Sequence, residues 1–223
     1  GAPGTGGSFG ADGTVANGGG GGALGGAIFS HAGSVVARNS TFTNNFVARG
    51  VGGGAGTAEA ARNGGDSGGA IFSVNGHLTV LFTTVSGNQA TGSGGGVVAF
   101  QNSTEDTVAE PYFTLQNAII ANNGPTECSV TGTMTTSFTG NLIEENDNCS
   151  GIATVEDPQL GPLQHNQRRT PTMPIASSSP ARDWADDSIQ LPTDQRGQER
   201  PPLFSDIGAF ELCLDRLGLP CLI

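Results

Sequence analysis

Lysine is absent from this sequence, and charged residues of any kind are few. All nine basic residues are arginine, against twenty aspartate and glutamate residues, and the formal net charge is −11. A nucleic-acid-binding surface needs clustered basic side chains, so we expect no nucleic-acid partner. Without lysine, Schiff-base chemistry through a side-chain amine is excluded as well.

Long apolar runs are also missing. No stretch is long enough for a transmembrane helix, and the sequence contains no signal peptide. Its first residue is glycine rather than methionine. We therefore expect no transmembrane segment and interpret the chain as a mature, processed product. The 37 glycines, together with only 13% charged residues, favour short strands and many turns over long helices.

Four cysteines fall into two local pairs, Cys128 with Cys149 and Cys213 with Cys221. Neither pair has the CxxC spacing of a metal site, so we predict two disulfides formed in an oxidising compartment. Free thiols are the alternative. The disulfide prediction makes the expected location extracellular or at a cell surface.

Two short patterns repeat along the first two thirds of the chain. The hexamer GGAIFS at 25–30 recurs at 68–73, with a looser copy, GGVVAF, at 95–100. A second pattern at 35–45 aligns with 78–88, 113–123 and 136–146. The alignment gives two apolar columns and one asparagine column: Ala37, Val80, Leu115, Phe138; Phe42, Val85, Ile120, Ile143; and Asn45, Asn88, Asn123, Asn146.

These columns predict an all-β fold, a right-handed parallel β-helix over residues 23–152. One short strand cannot bury its inner face alone, but consecutive coils stacked about 4.8 Å apart can bury a continuous apolar column. Asparagine tolerates the left-handed geometry of turns, and stacked amides can hydrogen-bond from coil to coil. The right hand is the rule for parallel crossover connections.

Carboxylates give no clear active site. In the repeat region they are sparse and out of register, whereas a glycosidase needs two facing carboxylates and a calcium-dependent lyase needs a cluster. The three histidines share no motif. We therefore predict no catalytic residue, no metal and no cofactor, with a polysaccharide lyase or hydrolase of the β-helix class as an alternative.

The first 22 residues are rich in glycine, with a three-residue period at Gly1, Gly4, Gly7, Gly10 and Gly13. Such a period suits a polyproline-II-like strand that packs closely against neighbours, although a linker is the alternative. We expect this segment to be held either by the molecule's own coils or by another subunit, and in the leading hypothesis these glycines mediate assembly by pairing with the coils of a neighbour.

No amphipathic helix precedes the first repeat, so the predicted β-helix has an open end, which invites strand addition or head-to-tail docking. The leading hypothesis is an extracellular structural protein, a self-associating subunit of a cell-surface assembly or filament. The alternative is a monomeric adhesin or carbohydrate-binding surface passenger that binds cell-surface glycans. Against it, Tyr112 and Trp184 are the only tyrosine and tryptophan available for stacking on sugars.

The tail carries five short motifs in combination: DPQLGPLQHN at 157–166, TPTM at 170–173, SPARD at 179–183, TDQRG at 193–197 and DIGAFE at 206–211. Together with the repeats, they resemble bacterial surface proteins with right-handed parallel β-helix repeats and a choice-of-anchor Q type C-terminal module. That family often has a cysteine shortly before TDQRG and another before DIGAFE, and both are absent here. The resemblance implies an exported, cell-surface protein and implies no reaction.

We expect residues 153–223 to form a Pro-rich capping module that closes the bottom of the stack. The acidic residues in its motifs suit turn caps and arginine pairing, for example Asp194 or Asp206 with Arg196 or Arg182. A metal-binding or catalytic cluster is the alternative.

Overall fold

The computed structural model describes residues 4–6, 9–54, 60–102, 110–145, 148–149, 152–166, 168 and 170–212, with the main chain alone for 152–154. Five residues of the sequence predictions lie outside these ranges: Gly1, Gly7, Asn146, Cys213 and Cys221.

The described part of the chain is all-β, with short strands and no helix. In chain order the strands are β1 (Ala23–Leu24), β2 (Ile28–His31), β3 (Ser34–Arg38), β4 (Thr41–Thr43), β5 (Phe46–Val47), β6 (Asp66–Ser67), β7 (Ile71–Val74), β8 (His77–Leu81), β9 (Thr84–Ser86), β10 (Gln89–Ala90), β11 (Val97–Phe100), β12 (Tyr112–Gln116), β13 (Ile119–Ala121), β14 (Cys128–Thr131), β15 (Thr135–Thr139), β16 (Asn141–Ile143) and β17 (Ile152–Thr154).

Strands that follow one another in sequence enter different sheets. Sheet 1 has the order β14-β11-β7-β2, sheet 2 the order β15-β12-β8-β3, and sheet 3 the order β17-β16-β13-β9-β4. All these pairings are parallel. We call β2-β3-β4, β7-β8-β9, β11-β12-β13 and β14-β15-β16 the first to fourth repeats, each of which gives one strand to each sheet.

The two apolar columns predicted from the sequence lie in register. In sheet 2, Val80 is the strand partner of both Ala37 and Leu115, and Leu115 also pairs with Phe138. In sheet 3, the column is Phe42, Val85, Ile120 and Ile143. Because Val85 and Ile120 are direct partners on neighbouring strands, the two residues cannot belong to opposite layers of a sandwich.

Left-handed residues make the corners. The residue after each sheet 2 strand has positive φ: Asn39, Phe82, Asn117 and Gly140. The residue after the first three sheet 3 strands does too: Asn44, Gly87 and Asn122. Glycine and asparagine adopt this geometry at low cost, which explains why they recur here. Phe82, a bulky residue at φ 43°, is the exception.

The inner side chains of the three sheets form one core. Ile71, Leu78, Val80, Val85, Leu115 and Ile120 are all fully buried in it. Phe113 meets Phe138 edge to face at 5.0 Å between ring centroids. Each such aliphatic or aromatic side chain contributes about 1.5–3 kcal/mol by leaving water, so the core is the main source of stability for these short strands.

The outer faces of sheets 1 and 3 are apolar and are covered by the chain's own ends. On sheet 1, Phe72, Val74 and Val98 are buried beneath Phe9. On sheet 3, Ile119 and Leu142 are buried beneath the C-terminal segment, in one cluster with Ile175, Ala181, Ile207 and Phe210.

The C-terminal module was predicted to close the bottom of the stack. Its described residues lie along the side of sheet 3 instead and contact every repeat. Asn39 in the first repeat donates to the carbonyl of Thr193 at 2.7 Å, and Thr139 in the fourth donates to Asp186 at 2.7 Å. The physical reason is the outward-facing Ile119 and Leu142, which require cover on the side of the sheet.

Candidate functional site

The asparagine column forms a ladder of amides that joins three repeats. Asn88 Oδ1 accepts both the main-chain N–H and the side-chain amide of Asn45, at 3.0 and 2.8 Å. Asn123 Oδ1 accepts the same two groups of Asn88, at 2.9 and 2.8 Å. The remaining amide protons bond carbonyl groups of the sheet, from Asn88 to Phe42 and from Asn123 to Val85.

The ladder continues onto a residue that the sequence analysis missed. Glu127 is buried, and its carboxylate accepts the main-chain N–H of Asn123 at 2.9 Å and the side-chain amide at 2.5 Å. Glu127 comes four residues after Asn123, beside the cis peptide between Gly124 and Pro125. Because it belongs to a turn between repeats, alignment of strand positions could not find it.

The first-repeat end of the sheets is open in the described structure. The strands β2, β3 and β4 are each the edge strand of their sheet at this end. Ile28, Val35 and Phe42 are only partly buried, whereas their direct partners in the second repeat, Ile71, Leu78 and Val85, are fully buried. This end therefore presents main-chain edges around an apolar cross-section.

The fourth-repeat end is partly closed. Cys128 and Cys149 form the predicted disulfide, with 5.9 Å between their Cα atoms, and both are buried. The strand β17 adds to the edge of sheet 3. Phe138, Met134 and Val130 remain only partly buried, so apolar surface is present at this end too.

The Gly-rich segment folds back on its own chain. Gly13 donates to Gly4, Gly50 donates to Gly21, and Gly20 donates to Arg62, all at 2.8–3.0 Å through the main chain. Contact is so close that a Cβ at Gly20 would lie 2.0 Å from the carbonyl oxygen of Gly50. Glycine is required at such a position because any side chain would collide with the neighbouring main chain.

The described part of this segment thus contacts its own chain, and its pairing with another subunit stays a prediction. Gly4, Gly10 and Gly13 lie in a segment that folds onto its own chain, next to the loop that follows the first repeat. The ring of Phe9 anchors it, edge-on to Phe72 at 5.4 Å and to Phe100 at 5.8 Å between centroids. The physical reason is the aromatic outer face of sheet 1, which the GGAIF pattern already contained.

A buried ion network holds the C-terminal segment together. Asp194 forms the predicted pair with Arg196 at 2.8 Å. The other Asp194 contacts are main-chain N–H groups, from Arg196, Gln198 and Glu211. The guanidinium of Arg196 lies 3.7 Å over the ring of Phe210. Asp194 therefore acts as a turn cap and as an ion-pair partner at once.

The second half of the network centres on Arg200, which the sequence analysis had not paired. Arg200 bonds Glu211 at 2.7 Å and the carbonyl groups of Asp206 and Gly208, beneath the ring of Phe82. Asp206 accepts main-chain N–H groups of Asp183 and Leu212 rather than pairing with Arg196 or Arg182.

Burial is the main cause that raises the pKa of both carboxyls here, to about 6 for Asp206 and about 7 for Glu211. Main-chain hydrogen bonds and Arg200 oppose that rise. A cleft of about 440 Å³ lies beside the network, lined by Asp183, Glu199, Arg200 and Glu211 among others. Since Glu211 Oε2 already accepts hydrogen bonds from Arg200 and Asp206, this arrangement fixes the segment's turns.

No metal cluster was found among the described side chains; nowhere in those ranges do three cysteine, histidine or acidic groups meet in a way that could hold an ion.

The outer face of sheet 2 carries a shallow polar groove of about 360 Å³. It is lined by Thr79, Glu110, Tyr112, Thr114, Thr135 and Ser137. The ring of Tyr112 stacks on the ring of His77 in the neighbouring strand, with 4.3 Å between centroids and 15° between planes. The sequence analysis treated Tyr112 as a lone aromatic, because it did not place His77 next to it.

No family model, no curated protein and no solved structure matches the chain. None of the segments that the structure describes forms a helix with the length and apolar character of a membrane span.

Proposed function

We propose that this chain is a right-handed parallel β-helix that serves as a non-enzymatic structural protein of an extracellular or cell-surface assembly, built from copies docked head to tail. The observation that carries the proposal is the open first-repeat end, where Ile28, Val35 and Phe42 remain partly buried while their partners are fully buried. An apolar cross-section framed by edge strands is a surface that another parallel strand layer can cover.

The winding itself is supported by the order in which the strands enter the sheets. Each repeat passes through sheets 1, 2 and 3 in turn, and the next repeat adds a parallel strand to each sheet in register. Crossover connections between parallel strands are right-handed in nearly all proteins. The right-handed solenoid is the simplest path that satisfies these pairings.

Docking between copies would join two different ends. The first-repeat end offers β2, β3 and β4, and the fourth-repeat end offers β14 and β15 as edges, with Phe138 and Val130 partly exposed. Contacts between unlike surfaces do not close on themselves unless the rotation closes a ring, so they generate filaments. The resemblance to choice-of-anchor Q type proteins and the buried disulfide support a location outside the cell.

The test compares two neighbouring valines in β3. Val35 is part of the apolar end, whereas Val36 points outward and is 59% exposed. We expect the unmodified protein to form linear multimers in electron microscopy and analytical ultracentrifugation. Val35→Lys should give monomers, because a charged side chain cannot be buried unpaired at the joint, and Val36→Lys should assemble normally.

Circular dichroism and thermal unfolding check that Val35→Lys still folds. Val130→Lys is an independent variant that places a charge at the opposite end and should also give monomers. Unmodified protein that stays monomeric over a wide concentration range would refute the assembly proposal.

A further inference from the structure

Only one of the three main outer faces lies bare in the described structure. Phe9 covers sheet 1, and the C-terminal segment covers sheet 3. The outer face of sheet 2 differs in character as well, because polar side chains replace the apolar ones. Outward positions of β8, β12 and β15 form three rows across the strands, of which the first two line the groove: His77, Tyr112 and Thr135; Thr79, Thr114 and Ser137; and Leu81, Gln116 and Thr139.

The first row contains a prebuilt aromatic platform. Tyr112 and His77 lie on adjacent strands and stack nearly parallel. Both rings are partly buried, so their orientation is fixed by the sheet rather than by a flexible loop. His77 covers one face of the Tyr112 ring, and the other face is directed toward the strand of Thr135. The quadrupole of an aromatic ring is negative above its face, so this uncovered face attracts the weakly positive C–H groups of a sugar ring.

The second row supplies hydrogen-bond partners at regular spacing. Thr79, Thr114 and Ser137 lie opposite one another on consecutive strands, about 4.8 Å apart. Hydroxyl groups both donate and accept, as the hydroxyl groups of a sugar require. Glu110 adds an exposed carboxylate, held in a left-handed main-chain conformation at φ 52°.

The charge around the groove indicates whether a neutral or an anionic glycan would bind. Among the described residues that line the groove, Glu110 alone is charged, and the whole chain carries a net charge of −11. The exposed Arg38 lies on the same face but outside the groove, at the edge strand β3. A polyuronate or sulfated glycan would be repelled, whereas a neutral one would not. The chemistry therefore fits a neutral hexose-based chain lying across the strands.

We propose that the outer face of sheet 2 binds a neutral hexose oligosaccharide, with Tyr112 as the stacking platform and Glu110 and Thr114 as hydrogen-bond partners. This site goes beyond the assembly function and does not depend on it, because it lies on the side of the molecule and not at an end.

A single-site probe is available because the chain contains one tyrosine. Protein labelled with 3-fluorotyrosine gives one ¹⁹F resonance, from Tyr112. The resonance is followed while cellohexaose, mannohexaose, laminarihexaose and galactan hexasaccharide are added in turn, with oligogalacturonate as the anionic comparison. We expect a saturable shift with at least one neutral hexasaccharide and none with oligogalacturonate.

Calorimetry on variants locates the site. Tyr112→Ala should weaken binding about tenfold, and Tyr112→Phe should retain it. The matched control is Trp184→Ala, at an exposed aromatic ring in the C-terminal segment outside the groove, which should bind normally. The Val35→Lys variant tests independence from assembly, since monomers should bind as well as multimers.

The proposal is overturned if no neutral hexasaccharide shifts the resonance at millimolar concentration, if oligogalacturonate binds equally well, or if Tyr112→Ala binds as tightly as the unmodified protein. None of these results tests head-to-tail docking, which is measured separately by electron microscopy and analytical ultracentrifugation.

Discussion

Asn88 is the residue on which the amide ladder depends most, since it bonds to both neighbouring repeats. It is fully buried, and each of its side-chain atoms that can hydrogen-bond is engaged with Asn45, Phe42 or Asn123. A polar side chain at this depth stabilises the fold only while its partners are present, because an unsatisfied buried donor or acceptor costs about 1–3 kcal/mol.

We predict that Asn88→Ala lowers the free energy of unfolding by about 2–4 kcal/mol, because it leaves the main-chain N–H of Asn45 without its acceptor and removes the amide bond to the carbonyl of Phe42. Urea unfolding measures the change. The control is Asn122→Gly, at an exposed corner with positive φ, where the loss should be under about 0.5 kcal/mol. Equal losses in the two variants would contradict a structural ladder.

Glu211 and Asp206 make stability depend on pH. Their folded-state pKa values are raised above 4.5 and 3.8 respectively, so the folded state binds these protons more tightly than the unfolded chain does. Their contribution is fully present below pH 4 and is lost as the pH rises through about 6 to 7. The charged groups around them are Arg200, Asp183 and Asp194.

We therefore predict that the unfolding free energy falls by about 1–3 kcal/mol between pH 5 and pH 8. Glu211→Gln should remove much of this slope, because glutamine mimics the neutral form. Asp186→Asn serves as the control: hydrogen bonds from Ser188 and Thr139 lower the pKa of Asp186, so its titration lies below this range and the slope should persist. Chemical unfolding at several pH values decides between these outcomes.

At the scale of elements, the inner columns could be predicted and the outer ones could not. The inner face of a repeated strand can be recognised from the sequence alone. Val80 and Val85 each pack against the equivalent residue of the preceding and the following repeat, so the aligned positions are all apolar. The outward Phe72 and Leu142 are equally apolar, but their cover comes from Phe9 and Ile207, which are distant in sequence. No local pattern states which distant segment will lie on a given face.

The site residues divide in the same way. The pairing of Asp194 with Arg196 is local and was predictable, being two residues apart. The pairing of Arg200 with Glu211 depends on how turns are placed, which the sequence does not state. The stacking of Tyr112 on His77 could have been predicted, because the two residues directly precede the aligned segments 113–123 and 78–88.

We predict that Phe9→Ala releases the N-terminal segment without unfolding the sheets. Removing the ring takes away its contacts with Phe72 and Phe100, and the main-chain bonds of a Gly-rich segment have little side-chain packing to support them. Hydrogen exchange should become faster in residues 9–22 and 60–65 and stay unchanged in β8 and β12. Phe204→Ala, at a ring in the C-terminal segment that is 64% exposed, is the control and should leave exchange in these segments unchanged.

At the scale of the whole molecule, charge opposes the proposed docking. Each copy carries a net charge of −11 with a sequence isoelectric point near 4.4, so copies repel one another at neutral pH. Salt shortens the range of that repulsion, from about 30 Å at 0.01 M to about 8 Å at 0.15 M. The apolar contact at the joint is not weakened by such screening.

We expect multimers to lengthen when sodium chloride is raised from about 10 mM to about 150 mM, as measured by light scattering at constant protein concentration. Val35→Lys should remain monomeric under both conditions. Multimers that dissociate with added salt would instead indicate that ion pairs hold the joint.

The position of the C-terminal segment along sheet 3 also limits how such a protein can evolve. Repeat proteins ordinarily gain or lose units by duplication, because each unit touches only its neighbours. Here Thr193 contacts the first repeat while Asp186 contacts the third and fourth. The spacing between these two residues of the segment therefore matches a fixed number of repeats. A duplicated unit would separate these anchor points by a further strand spacing, and a lineage could lengthen the body only by remodelling its tail at the same time.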